Sequence, residues 1–171
     1  LAGPVVASCV ILPKKINQIF KDSKSISEAI RTKQFHFLRR NSFASIGLCT
    51  PQEIDEMNIL NAAHLAMKRA IKKLKIKPKL VLIDGNKTPK IKNYNLKYVI
   101  KGDQKISEIS AASIIAKVAR DRLISKMSKK FTKYAWDKNA GYGTKQHLNA
   151  IKKFGVTEHH RKTFGPVHNI L

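Results

Sequence analysis

Acidic residues are scarce in this chain: 11 Asp and Glu stand against 34 Lys and Arg in 171 residues, a formal net charge of +23. The excess runs along the whole sequence and is not held in a tail. It therefore describes a basic folded surface with an anionic polymer as partner, nucleic acid first. Long apolar runs are also missing. None approaches the roughly 20 residues a membrane-spanning helix needs, so a membrane is not an expected partner. Cysteine is nearly absent: Cys9 and Cys49 sit apart inside apolar runs with no C-x-x-C pair. They are expected to be buried thiols, without a metal or redox role. The opening LAGPVVASCVIL lacks a basic leader and a polar exit, so it reads as a strand and not as a signal peptide, and a cytoplasmic location is expected. The first residue is Leu1 and not Met, which points to processing or truncation. What is present is enough for one domain, because 43% hydrophobic content at this length builds a real core.

Chain order then predicts alternating elements. Pro4 to Leu12 is a strand, a helix runs from Ser25 or Ser27 to about Arg40, and Phe43 to Leu48 is a second strand. Thr50-Pro51-Gln52-Glu53 supplies an N-cap, a first-turn proline and a capping-box glutamate. One long helix is expected from there, with Met57, Leu60, His64, Met67, Ile71 and Leu74 on a single apolar stripe. His64 in that stripe reads as a core or boundary histidine. Ile106 to about Phe131 is a third long helix, small and apolar in its first half. A last helix begins at Thr144 and closes at Gly155.

The chemistry concentrates between Lys79 and Asp103. Leu80 to Ile83 reads as a strand buried on both faces that ends on Asp84-Gly85, and Tyr98 to Ile100 as one that ends on Lys101-Gly102-Asp103. If the two lie parallel in one sheet, both carboxylates stand at the carboxyl edge where open α/β sheets place their ligands. In so basic a chain, that pair fits a divalent cation and a phosphate substrate. The alternative is that each Asp only opens a turn. Of the other acids, Glu53 is a cap, Glu28, Asp55, Glu56 and Glu108 suit helix starts, and Asp22 and Asp137 fall in loops. Asp121, between Arg120 and Arg122, suits an ion pair.

Ser23 and Lys24 precede a helix start, where they serve either a phosphate or an ordinary cap. In Tyr134 to Thr144, aromatic residues alternate with Lys and Gly, a pattern that can offer ring faces to sugars or bases. Tyr134 and Trp136 fit the core edge nearly as well, and Tyr142, between two glycines, is the better functional candidate. His159 and His160 are adjacent and must point apart, so they read as a surface cluster or phosphate contact and not as a metal site.

The strings IDGN (83–86), KGD (101–103), SEISAASIIAKVARDR (107–122), GYGTKQHL (141–148) and TEHHRKTFGPV (157–167) closely resemble bacterial ribonuclease HII. So do LAGPVVASCVIL, DSK at 22–24 and PQEIDEMNIL at 51–60, in the right order along the whole chain. The resemblance implies an α/β, RNase H-like fold: a mixed central sheet flanked by helices over about residues 1–131, with a small helical part over 132–171, together one catalytic domain. It implies an endoribonuclease, expected as a monomer in DNA replication and repair, that hydrolyses RNA in RNA–DNA hybrids. It also cuts 5′ to single ribonucleotides in duplex DNA, leaving a 5′-phosphate. Mg²⁺ or Mn²⁺ would be held by four acids, two of which match Asp84 and Asp103. Tyr142 matches the tyrosine that stacks on the sugar at the RNA–DNA junction. Ser23, Lys24 and, more weakly, Lys101 would hold backbone phosphate. A sliding-clamp contact is neither implied nor excluded.

One departure accompanies the match. In the family, a segment resembling D-E-x-G-R-G-P precedes the stretch that opens this sequence, and it carries the other two acids. The chain as written is therefore expected to be a fragment with negligible cleavage and lowered stability. A nucleic-acid-binding module without catalysis is the other reading. A basic structural RNA binder would have no need of the two strand-end Asp residues.

Overall fold

The computed structural model describes residues 1–16 and 18–171. The chain divides into two compact units: Val6–Leu48 with His64–Val118, and Leu1–Val5 with Cys49–Ala63 and Ala119–Leu171.

The first unit carries the strands. β1 (Val5–Ile11) pairs with β2 (Phe43–Cys49), and β3 (Val81–Asp84) pairs with β4 (Leu96–Val99), as two separate two-stranded sheets. Between the members of the first pair runs α1 (Glu28–Asn41), opened by Ser27, whose hydroxyl accepts the Ile30 N–H. The core joins Val10 of β1, Phe35 and Leu38 of α1, and Ala111, Ile114, Ile115 and Val118 of α4 (Ser107–Lys130). The expected burial of that helix's first half follows from this packing.

The long helix expected after Thr50 is two helices. The capping box at Thr50 and Glu53 is present and starts α2 (Pro51–Met57), but Asn58 takes a left-handed φ of 70° and a second helix, α3 (Ile59–Lys73), begins after it. The Asn58 carboxamide oxygen then caps that helix by accepting the N–H groups of Leu60 and Asn61, at 3.0 and 3.1 Å. The break also changes the stripe. Leu60 is 50% exposed, and the residues of α3 that are buried are Ala62, Ala66, Ala70 and Ile71. Small side chains are needed here because β2 lies almost on the helix backbone: a Cβ on Gly47 would stand 2.1 Å from the Ala66 carbonyl oxygen.

The second unit is built from α2, the end of α4, and three further helices, α5 (Trp136–Asn139), α6 (Lys145–Phe154) and α7 (Gly165–His168). Its core contains Ile124, Tyr134, Trp136, Ile151 and Val167. Tyr134 and Trp136 are thus core residues, the second of the two roles open to them. Asp55 ties α2 to the C-terminal segment by accepting the N–H groups of Lys162 and Thr163, each at 2.9 Å, and the Thr163 hydroxyl at 2.7 Å. Among the described residues, no helix is long and apolar enough to cross a membrane.

Candidate active site

β3 and β4 are parallel, in a register that sets Asp84 opposite Val99. Their carboxyl ends therefore share one edge. After β4 the chain turns sharply: Lys101 adopts a left-handed φ of 54°, and Gly102–Gln104 forms a single 3-10 turn. That turn folds back onto β3, where the Gly102 N–H donates to Asp84 Oδ1 at 2.8 Å. The approach is close: a Cβ at 102 would lie 2.5 Å from Ile109 Cδ1, the end of a side chain that would have to turn aside, and 3.3 Å from Val99 Cβ. Asp103 is next in the chain, and its carbonyl accepts the Ser110 hydroxyl at 2.7 Å, which anchors the turn to α4.

Electrostatics mark the same edge. The Asp103 carboxyl is pushed above its ordinary range by desolvation first and then by the negative charges of Asp84 and Asp22. Asp22, read as a loop acid, thus belongs to this carboxylate cluster. Carboxylate charge that raises the pKa of Asp103 is relieved by a divalent cation, so Asp84 and Asp103 fit such an ion. Among the described residues, no group of three or more His, Cys, Asp or Glu side chains is arranged to hold a metal. Asp84 and Asp103 are a partial donor set.

Beside Asp84 lies a groove of about 860 Å³, lined by residues 6–12, 76–84 and the Ile109, Ala112 and Ala116 face of α4. Its walls are apolar, and the strands that form them are under-buried. β1 is VVASCVI, yet Val10 is its one buried residue. Leu80, expected inside a strand buried on both faces, is 41% exposed, while Val81 and Ile83 are buried. Burial in this region still pushes the Cys9 thiol up to about 11.

The phosphate candidates separate. Lys24 and Lys101 are exposed, whereas Ser23 is 3% exposed, with its hydroxyl 2.7 Å from that of Ser113. The Lys24 N–H donates to Asp22 Oδ1 at 2.9 Å. Only the lysine side chains of this set stand in solvent.

Tyr142 belongs to the other unit. It is 57% exposed, at the tip of a turn in which Gly141 has a φ of 76° and the Tyr142 N–H donates to the Asn139 carbonyl at 2.9 Å. The Arg120 guanidinium lies 5.2 Å from the centre of its ring. Arg120 had no role in the sequence beyond its place beside Asp121. His160 was expected at the surface and is 1% exposed, in contact with the equally buried His147 at 3.1 Å between Nε2 atoms. The two adjacent histidines do point apart, but His160 points into the core and His159 packs edge-on against Phe131.

The ribonuclease HII family model matches residues 1–167. The chain belongs to the ribonuclease HII family. It is 58% identical over 172 residues to a ribonuclease HII of Pelagibacter ubique, covering 100% of this chain and 92% of that one. It is 44% identical to the ribonuclease HII of Roseobacter denitrificans, covering 100% of this chain and 87% of that one. Among solved structures, the ribonuclease H2 of Pyrococcus horikoshii superimposes with a TM-score of 0.74 at 30% identity, over 98% of this chain and 92% of that one. Family membership and this likeness establish the RNase H-like fold and a ribonuclease.

Proposed function

We propose that this member of the ribonuclease HII family is a divalent-metal-dependent endonuclease that cuts RNA in RNA–DNA hybrids and the phosphodiester 5′ to single ribonucleotides in duplex DNA. The observation that carries the reading is the parallel β3–β4 edge, which brings Asp84 and Asp103 to one side of a basic unit. Asp84, oriented by the Gly102 N–H, and Asp103 would hold Mg²⁺ or Mn²⁺. When bound, such an ion lowers the pKa of an attacking water and neutralises charge on the leaving oxygen. The chain's own residues bring the substrate: Lys24 and Lys101 neutralise backbone phosphates, and the exposed ring of Tyr142 stacks on the sugar that carries the 2′-hydroxyl.

Two carboxylates are fewer than the four that the family resemblance implies. The groove between β1 and β3 supports the view that a further strand completes the site. It is apolar, it runs along two strands whose apolar residues are under-buried, and it has Asp84 in its lining. A strand with a D-E pair seated there would join the two sheets and add the other acids. The test is cleavage of a duplex containing one ribonucleotide in Mg²⁺ or Mn²⁺, by this chain and by a version carrying a D-E-x-G-R-G-P leader. Cutting 5′ to the ribonucleotide by the extended version alone, abolished by Asp84→Asn, is the expected result. If neither protein cuts although both are folded and bind hybrid, the binding-only reading replaces this one.

A further inference from the structure

The buried histidines His147 and His160 form, with their fixed neighbours, a hydrogen-bond chain with one permitted direction. The Thr157 N–H is a donor, and it meets His160 Nδ1 at 2.9 Å, so that nitrogen must accept. The Thr157 hydroxyl accepts the His159 N–H at 3.2 Å and lies 3.0 Å from the same His160 Nδ1. The His160 proton is therefore on Nε2, where it donates to His147 Nε2 at 3.1 Å. His147 Nε2 must accept for a second reason: the Trp136 indole N–H donates to it at 2.9 Å. The His147 proton is left on Nδ1, and it donates to the Tyr142 carbonyl at 2.8 Å. The same carbonyl accepts the Thr144 N–H at 2.9 Å.

Each ring is neutral in this arrangement, since a second proton on either would face a donor. Burial, and for His160 also His147, holds both below the ordinary histidine range. The chain ends on the main chain of the one residue in this turn whose ring is presented to solvent. We infer that His147 is a positioning residue for substrate discrimination: its Nδ1–H fixes the Tyr142 main chain, and with it the ring that contacts the ribose at the junction. The inference rests on the reading of Tyr142 as a sugar-stacking residue.

The two nitrogens of His147 do different work, and two substitutions separate them. Gln at 147 places an amide oxygen near the Nε2 position, keeping an acceptor for Trp136 and His160 but no donor for Tyr142. Asn at 147 does the reverse, placing an amide N–H near the Nδ1 position and leaving Trp136 and His160 without their acceptor. The readouts are Tm and discrimination, the latter taken as the ratio of Kd for all-DNA duplex to Kd for the same duplex with one ribonucleotide, by fluorescence anisotropy. Tyr142→Ala should lower discrimination roughly tenfold, the size of a lost stacking contact. His147→Gln should approach that loss with Tm little changed. His147→Asn should keep discrimination within about twofold of the parent although Tm falls. In the Tyr142→Ala background, His147→Gln should have no further effect on discrimination, because a residue that acts only through Tyr142 has nothing left to act on.

The inference is overturned if discrimination follows Tm, with Gln preserving it and Asn losing it, or if His147→Gln costs as much with Tyr142 absent as with it present. Should the Gln variant not fold, the Asn variant decides: retained discrimination supports the inference and loss ends it. If Tyr142→Ala alone leaves discrimination intact, the sugar-stacking reading has failed, a result visible in a different variant from those that test the histidine.

Discussion

The carboxylate edge and the Tyr142 turn are held in opposite ways. Asp84 is exposed, Asp103 is kept above its usual range by burial and by like charges, and the groove beside them is lined by apolar residues short of full burial. Around the turn, polar groups of His147, His160, Trp136 and Thr157 have partners, and the rings at 147 and 160 are fully buried. A centre for cations keeps charge unneutralised until the ligand arrives, whereas a surface that selects a substrate gains from being settled beforehand. One region is poised by frustration and the other by closure.

The sharpest break in this comparison is at Asp84. Asp84→Asn in the leader-extended protein should reduce cleavage by about 10³-fold, the scale of several kcal/mol of metal-borne stabilisation, while leaving Tm and single-ribonucleotide discrimination near the parent values. Trp136→Phe probes the closed region instead. It removes the indole N–H and some volume from a site that is 1% exposed, and chemical denaturation should show a loss of about 2 kcal/mol.

Acid separates the regions by sign. His160 is lowered by burial and by His147 to about 4, so between about 6.5 and 4 the unfolded chain binds more protons than the folded one. Stability is full above the unfolded value and falls as pH drops through that window, by on the order of 3 kcal/mol in denaturant titrations at successive pH values. His160→Gln should flatten the slope. Asp103 runs the other way: its raised folded pKa means that acid relieves the repulsion at the carboxylate edge. The smallest expected effect follows from this, because Asp103→Asn should stabilise the metal-free protein by a few tenths of a kcal/mol. The same substitution should diminish the rise in Tm on adding Mn²⁺.

The carboxylate edge was the more legible of the two in sequence. Apolar runs closed by Asp-Gly and Gly-Asp carry their own punctuation, while their parallel pairing was only a condition in the sequence and is supplied by the structure. Asn58 shows where local signals fail. Apolar residues recur at 3 and 4 through this position, so periodicity runs straight across a residue that happens to tolerate the left-handed region. His160 could not be placed, because its burial depends on His147, thirteen residues away, and on Trp136. That adjacent histidines point apart argued only against a shared metal site, and it left open that one of the two could point into the core. Arg120 was obscured for the same reason, since Tyr142 is distant in sequence and only folding brings the guanidinium to its ring.

The hydrogen bond from the Gly102 N–H to Asp84 has an evolutionary consequence. Because the carboxylate takes its aim from main chain, the surrounding lysines can be exchanged, gained or lost without turning it. A lineage can therefore drift widely in surface composition, even to the +23 seen here, while the direction of this one oxygen is inherited with the path of the chain.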